Sequence, residues 1–262
     1  MGHRSRRPRP AAPHSPQPGR QANHSVYSEA AELMRRIKES EGERVFWKME
    51  ALSATVFVFA ANRLELANRL RQLESPENRA KVFGVRNREV LRLFQKDSMR
   101  LLHNFLASAF TLIEHTRILT RELYDGHPFN QEYQQKVAEL FSDSALAGFV
   151  QGLRNWMLHR GLLPVVVRRS DTGTNGELVS SVLLNAEDLK TWDKWDARAR
   201  EYLASTTSDL RLSDLVNSYS GLVHGFHSWL EKRMLEMHAV ALQEVDELQS
   251  RLKALYGVTD MK

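Results

Sequence analysis

From Val26 to Tyr256 the apolar residues recur at intervals of three and four, and only the stretch from 162 to 184 breaks that rhythm. Such spacing places them on one stripe of a helix, so a chain with this pattern can bury its side chains only by packing helix against helix. Val26, Ala30, Leu33, Met34 and Ile37 start the series, and Gly42 is expected to end that helix. A long helix follows from about Glu43 to Leu73, then a shorter one begins at Ser75-Pro76-Glu77 and is interrupted by Gly84. Arg86 to Tyr124 reads as a further long helix, closed by the turn Asp125-Gly126-His127-Pro128. Residues 129 to 141 give a short helix, and Ser142 or Asp143 is expected to cap the next, which runs to about Arg160. Asn185 has the placement of an N-cap, with Asp188 at the third helical position and Leu184 and Leu189 as a staple. The last helix is expected from about Leu212 to Tyr256, its heptad-like seam running on through Val245, Leu248, Leu252 and Leu255. At that length part of its seam is expected to meet another chain.

Between 162 and 184 the pattern changes to short β-branched runs on either side of Asp171-Thr172-Gly173-Thr174-Asn175-Gly176, which predicts a β-hairpin with a polar loop. No Pro- or Gly-rich linker divides the chain after residue 25. The expectation is therefore a single all-α domain over 26–262, a bundle of long helices with one small hairpin inserted. Residues 1 to 25 hold Arg4, Arg6, Arg7, Arg9 and Arg20, several prolines and almost no large apolar side chain, which predicts a disordered basic tail.

Charge narrows the function. The net charge is +5, but removing the five arginines of the tail leaves 32 basic against 32 acidic residues, so a phosphate-binding surface on the rest has to be local. Cysteine is absent, which excludes disulfides, thiolate zinc sites and cysteine nucleophiles. The longest apolar run, Leu52 to Ala61, falls short of the ~20 residues that span a bilayer. With no apolar leader either, the expectation is a cytoplasmic protein that does not enter a membrane.

Chemistry concentrates in Arg154-Asn155-Trp156-Met157-Leu158-His159, just before Gly161 and Pro164. Arginine-to-histidine spacings of this size also occur at Arg121 to His127 and Arg233 to His238, but the first is broken by Gly126 ahead of Pro128 and the second follows its arginine with Met234. At about 100° per residue, Leu146, Phe149, Val150, Leu153, Trp156 and Met157 form the core-facing arc. Asn155 and His159, four apart, stack on the other side with Gly152 beside them, and Arg154 projects from the flank. A glycine inside an otherwise good helix costs about 1 kcal/mol, so something is expected to pack closely at Gly152. In the last turn, His159 lies at the negative end of the helix dipole, a setting suited to proton transfer. A plain surface histidine is the simpler alternative.

Other groups carry less. His224 and His227 are three apart without an obvious third metal ligand, so packing or surface roles are favoured. Glu114-His115 reads more simply as an exposed or interface pair, and Arg168 with Arg169 as a solvated strand edge. No phosphate-cradling glycine loop, Gly-x-Ser-x-Gly elbow or His-Glu-x-x-His is present, and no cofactor or metal is indicated.

A long helix containing Phe105-Leu106-Ala107-Ser108-Ala109-Phe110-Thr111-Leu112-Ile113-Glu114-His115-Thr116-Arg117, then Phe149 to His159, a hairpin, and Leu215 to Leu230 with Tyr219 and Trp229 together resemble bacterial members of the HEPN superfamily. The resemblance covers most of 26–262, while its specific part is six residues long. It implies homodimers whose motif helices approach each other, and metal-independent cleavage of single-stranded RNA in many members, often beside a cognate antitoxin or in antiviral defence. It implies that Arg154 holds the scissile phosphate, that His159 acts as general base or acid, and that Asn155 orients the histidine or the phosphate. A non-catalytic helical protein that binds RNA or a protein partner remains the alternative, as does a purely structural oligomer.

Overall fold

The computed structural model describes residues 18–75, 88–170 and 179–257. Among them the chain is mainly helical, with α1 Pro18–Glu39, α2 Glu41–Glu74, α3 Arg88–Tyr124, α4 Phe129–Val137, α5 Ala145–His159, α6 Ala186–Lys190, α7 Ala197–Ser205, α8 Leu212–Met237 and α9 Ala239–Leu255. A single π-helical turn, Ala138–Ser142, continues α4. The strands are β1 Val165–Ser170, β2 Val179–Leu184 and β3 Leu210–Arg211. An all-α bundle with a small hairpin is thus the observed class. The helix expected at Ser75-Pro76-Glu77 and the polar hairpin loop fall on 76–87 and 171–178, outside the described residues.

Several boundaries differ from expectation for local reasons. Helix α1 begins at Pro18, eight residues before Val26, with proline at its first position, where the missing N–H is harmless. Residues 1–17 of the expected tail lie outside the described residues. The first helix ends at Glu39, and Ser40 starts α2 by accepting the Glu43 N–H on its hydroxyl at 3.2 Å. Gly42 therefore ends nothing. It lies in the first turn of α2, where a Cβ would stand 2.1 Å from the Ala241 carbonyl oxygen of α9, so its lack of a side chain permits that close approach. The cap of α5 is Ser144 rather than Ser142 or Asp143, its hydroxyl accepting from Ala147 N–H at 3.2 Å. Asn185 caps α6 through Asp188 N–H at 2.8 Å as its spacing implies, and Leu184 and Leu189 are both fully buried.

The run 26–262, expected as one domain, falls into two compact units: residues 1–46 with 238–262, and residues 47–237. In the first, α1 packs on α9 through Leu33, Ile37 and Leu248, with Leu252 and Leu255 beside them. The C-terminal seam expected to need another chain is thus covered by α1 of the same chain. It is also not one helix, because His238 leaves helical geometry (φ −105°, ψ 13°) between α8 and α9 with no glycine or proline to signal it.

In the second unit α3 supplies the central rod, 37 residues or about 55 Å long. Phe94, Leu101, Leu102, Phe105, Leu106, Ala109 and Leu112 line its buried stripe. Around it stand Leu52, Phe59, Leu66 and Leu70 of α2, Phe149 and Leu153 of α5, and Leu215, Tyr219, Phe226 and Leu230 of α8. Hairpin β1–β2 is antiparallel with Val165 opposite Leu184 and Ser170 opposite Val179. Sequence patterning missed β3, which adds two residues to β2 through Leu183 with Arg211 and Leu184 with Leu210. The sheet joins the core by Val165, Val182, Leu184 and Leu210. Arg168 bonds Asp209, whose other oxygen accepts the Ala186 N–H at 3.2 Å, so this arginine ties the hairpin to the loop before β3.

Candidate functional site

Helix α5 places the Arg154 to His159 segment. Its buried face holds Phe149, Val150, Leu153 and Trp156 as the periodicity requires. The close neighbour expected at Gly152 is present, and it comes from within the same chain rather than from a second copy. A Cβ at Gly152 would lie 2.4 Å from two ring carbons of Trp195, and one at Gly148 would lie 2.5 Å from the Arg198 Cβ. Both glycines let α7 and the segment before it press against α5 from within the same chain. Trp195 is held there by stacking on Phe149 and Trp156, at 5.5 and 5.9 Å between ring centres, and by donating its indole N–H to Leu189 O at 2.7 Å.

The three motif residues consequently occupy different surroundings. Arg154 is half-buried and points toward α3, its guanidinium 4.9 Å from the centre of the Phe110 ring. Asn155 is half-buried, and His159 is exposed in the last turn. Beyond it, Arg160 folds back over Trp156 at 4.2 Å and donates to the Thr191 hydroxyl at 3.3 Å, and Gly161 turns the chain at φ 138°.

Arg154 lines an open groove of about 670 Å³ between α3 and α5. One wall is His103, Ala107, Phe110, Thr111, Glu114 and Arg117, residues three and four apart that share a face of α3, and His115 lies beside them. The other wall is Gln151, Arg154, Met157 and Leu158 of α5. Glu114 is the acid in this lining, and it is bound to Arg117 at 2.6 Å. The His115 Nδ1 lies 2.9 Å from the Thr55 hydroxyl of α2, which fixes its ring at the edge of the groove. The arrangement suits a polyanion: guanidinium and imidazole groups over a shallow, partly aromatic floor. Neither Asn155 nor His159 lines the groove.

His103, Arg117 and Gln151 were not singled out in the sequence. The signal for the first two was the polar face of α3 running in step from His103 to Arg117, which has meaning once α5, with Gln151, is known to lie alongside.

A second groove, of about 190 Å³, separates α2 from α8 and contains His224, His227, Glu50 and Glu231. His227 is mostly buried and its Nδ1, shut off from solvent, has no hydrogen-bond partner among the described residues; burial pushes the imidazole down to about 4. Even so, no group of three metal-ligating side chains forms among the described residues. No helix among them is long and apolar enough to cross a membrane.

No protein-family model matches this chain, and no curated protein or solved structure matches it either. Assignment of function therefore rests on the residues themselves.

Proposed function

We propose that this chain is a metal-independent endoribonuclease that acts on single-stranded RNA as a homodimer, with phosphate held in the groove between α3 and α5. The observation that carries the reading is Arg154: it stands over Phe110 in an open groove shared with His103, His115 and Arg117, whose acid, Glu114, is already paired. RNA offers such a groove repeated phosphates and bases able to stack on an aromatic floor.

Helix geometry makes the site composite. Five residues separate Arg154 from His159, which sets them about 140° apart around α5. One chain cannot aim both at the same phosphate, so the histidine has to come from a second copy, in keeping with the dimers that the HEPN resemblance implies. In that site a neutral His159 takes the proton from a ribose 2′-hydroxyl as its oxygen attacks phosphorus. A protonated His159 returns a proton to the departing 5′-oxygen, leaving a 2′,3′-cyclic phosphate. Arg154 stabilises the charge that grows on the phosphoryl oxygens, and Asn155, one turn below His159, orients the imidazole by hydrogen bonding. A toxin–antitoxin or antiviral setting is the biological context this reading carries with it.

The test is cleavage of single-stranded RNA in the presence of a chelator. His159→Ala is expected to abolish cutting with an unchanged circular dichroism spectrum, and Arg154→Ala to lower it at least a hundredfold. Full activity in His159→Ala would end the proposal. One observation favours a non-catalytic reading instead: Gly152, the reason to expect a neighbouring chain on the motif helix, is filled by Trp195. RNA binding weakened by Arg154→Ala with no cleavage by the wild type would select that alternative.

A further inference from the structure

Beside the groove that holds Arg154 lies a second space, of about 240 Å³, bounded by α3, α4 with its π-helical turn, α5, α7 and α8. Protein interiors are ordinarily close-packed, with few voids larger than a water molecule. This one far exceeds the ~30 Å³ share of a water and stops short of the ~300 Å³ at which pockets for drug-sized molecules begin. Phe110, Tyr133, Phe141, Tyr219 and Phe226 give it aromatic walls. The Phe226 ring is fixed by two of the others, 5.5 Å from Phe141 at 81° and 5.9 Å from Tyr133 at 60°. Phe141 and Ser142 belong to the π-helical turn, a distortion that recurs at functional sites. Arg198 holds that turn in place by donating to both of their carbonyls, at 3.1 and 3.0 Å.

We infer that this chamber takes a single nucleobase, turned out of an RNA strand whose phosphate lies in the adjoining groove. The polar groups of the lining select that class. Two cations are present and each already holds an acid, Arg117 with Glu114 at 2.6 Å and Arg198 with Asp196 at 3.0 Å. His227, also in the lining, is kept uncharged at neutral pH by burial. A carboxylate or a phosphate therefore meets no unpaired charge inside. A plain hydrocarbon fits no better. Tyr219 is 2% exposed, and burial, with no hydrogen bond from a described residue to offset it, pushes its hydroxyl up to about 12. That hydroxyl and the Gln151 amide can each donate and accept, and an apolar occupant answers neither. A flat, neutral ring with donors and acceptors along its edge answers both. Stacking on aromatic side chains together with hydrogen bonds to the base edge is how proteins read the unstacked bases of single-stranded RNA. Position selects the source of the base. Phe110, Ile113, Arg117 and Gln151 line groove and chamber alike, so a strand whose phosphate meets Arg154 passes beside the chamber. This site rests on the proposed function only in taking RNA to lie in the groove, and needs no cleavage step.

The test fills the chamber and leaves the groove alone. Ala147 lines the first and not the second, so Ala147→Leu should occupy the space without touching Arg154. Fluorescence anisotropy on the full chain compares four RNA pentamers, each of one base, with an abasic pentamer of the same backbone. The best-bound base should bind about tenfold or more tighter than the abasic strand. In Ala147→Leu that advantage should shrink to about twofold or less, with abasic binding and the midpoint of thermal unfolding not lowered. Ser142→Phe, at an exposed lining position, should act likewise if Ala147→Leu unfolds. An abasic strand that binds as well as RNA, or a base advantage that survives both filled variants, would overturn the assignment. A free nucleoside bound as tightly as the pentamers would make the chamber a small-molecule site and overturn the RNA source. Cleavage separates the two proposals. A base advantage lost on filling, in a protein that never cuts RNA, keeps this site and ends the ribonuclease reading. Cutting that is equal for all four bases, with no base advantage in binding, defeats this site alone.

Discussion

His227 sits where a histidine gives up its charge. Glu50, Glu231 and His224 share the groove on one side of it and Arg117 and Arg198 line the cavity on the other, yet the Nδ1 has no partner among the described residues and burial holds the group near 4. In the unfolded chain the same imidazole titrates near 6.5. Between those values the unfolded state binds more protons than the folded one, so stability is complete above about pH 6.5 and falls as the pH drops toward 4. The expected loss from pH 8 to pH 5 is about 2 kcal/mol. Urea unfolding at a series of pH values should show that slope, and His227→Phe should flatten it. An unchanged slope in the variant would place the pH dependence elsewhere. Arg154 shows the complementary case, a charge kept at the surface by an aromatic ring rather than by an acid.

At the level of elements, α5 and α7 are joined by missing side chains as much as by present ones. Gly152 reads in sequence as a gap awaiting a neighbour, and the neighbour is Trp195, fixed between Phe149 and Trp156. Gly152→Ala gains about 1 kcal/mol of helix propensity. It also drives a methyl group into a ring that stacking holds in place, an overpacking cost of about 1–3 kcal/mol or more. A net loss of up to about 2 kcal/mol is expected in urea or thermal unfolding. Gly221 in α8 is the control, since a Cβ there meets nothing within 4 Å. Gly221→Ala should stabilise the protein by up to about 1 kcal/mol, and equal effects at both positions would contradict this account of the α5–α7 contact. Caps were legible where the side chain that bonds the first turn was the nearest candidate, as at Asn185. They were misplaced where several adjacent residues could serve, as in Ser142-Asp143-Ser144, because only the backbone angle at each residue decides among them.

Across the whole molecule the two units differ most in core size. The α1–α9 pair relies on Leu33, Ile37 and Leu248 with a few flanking residues, whereas the 47–237 unit buries dozens of apolar side chains in one cluster. Local opening costs least where few apolar contacts are lost. Amide exchange should therefore be faster in α1 and α9 than in α3 and α5, and Leu33→Ala should accelerate it in the first pair alone. Uniform acceleration across all four helices would show that the molecule opens as one. The sequence by itself determined the helical class, the hairpin, the core stripe of α5 and the candidate arginine and histidine, since each depends on periodicity or spacing within one segment. Only the tertiary structure decided that Trp195 fills the space at Gly152, that α9 finds its cover in α1, and that His103, Arg117 and Gln151 join Arg154 in one groove while His159 stays outside it. Those outcomes depend on which faces meet across large separations in sequence, and an apolar stripe states that it must be covered without stating by what.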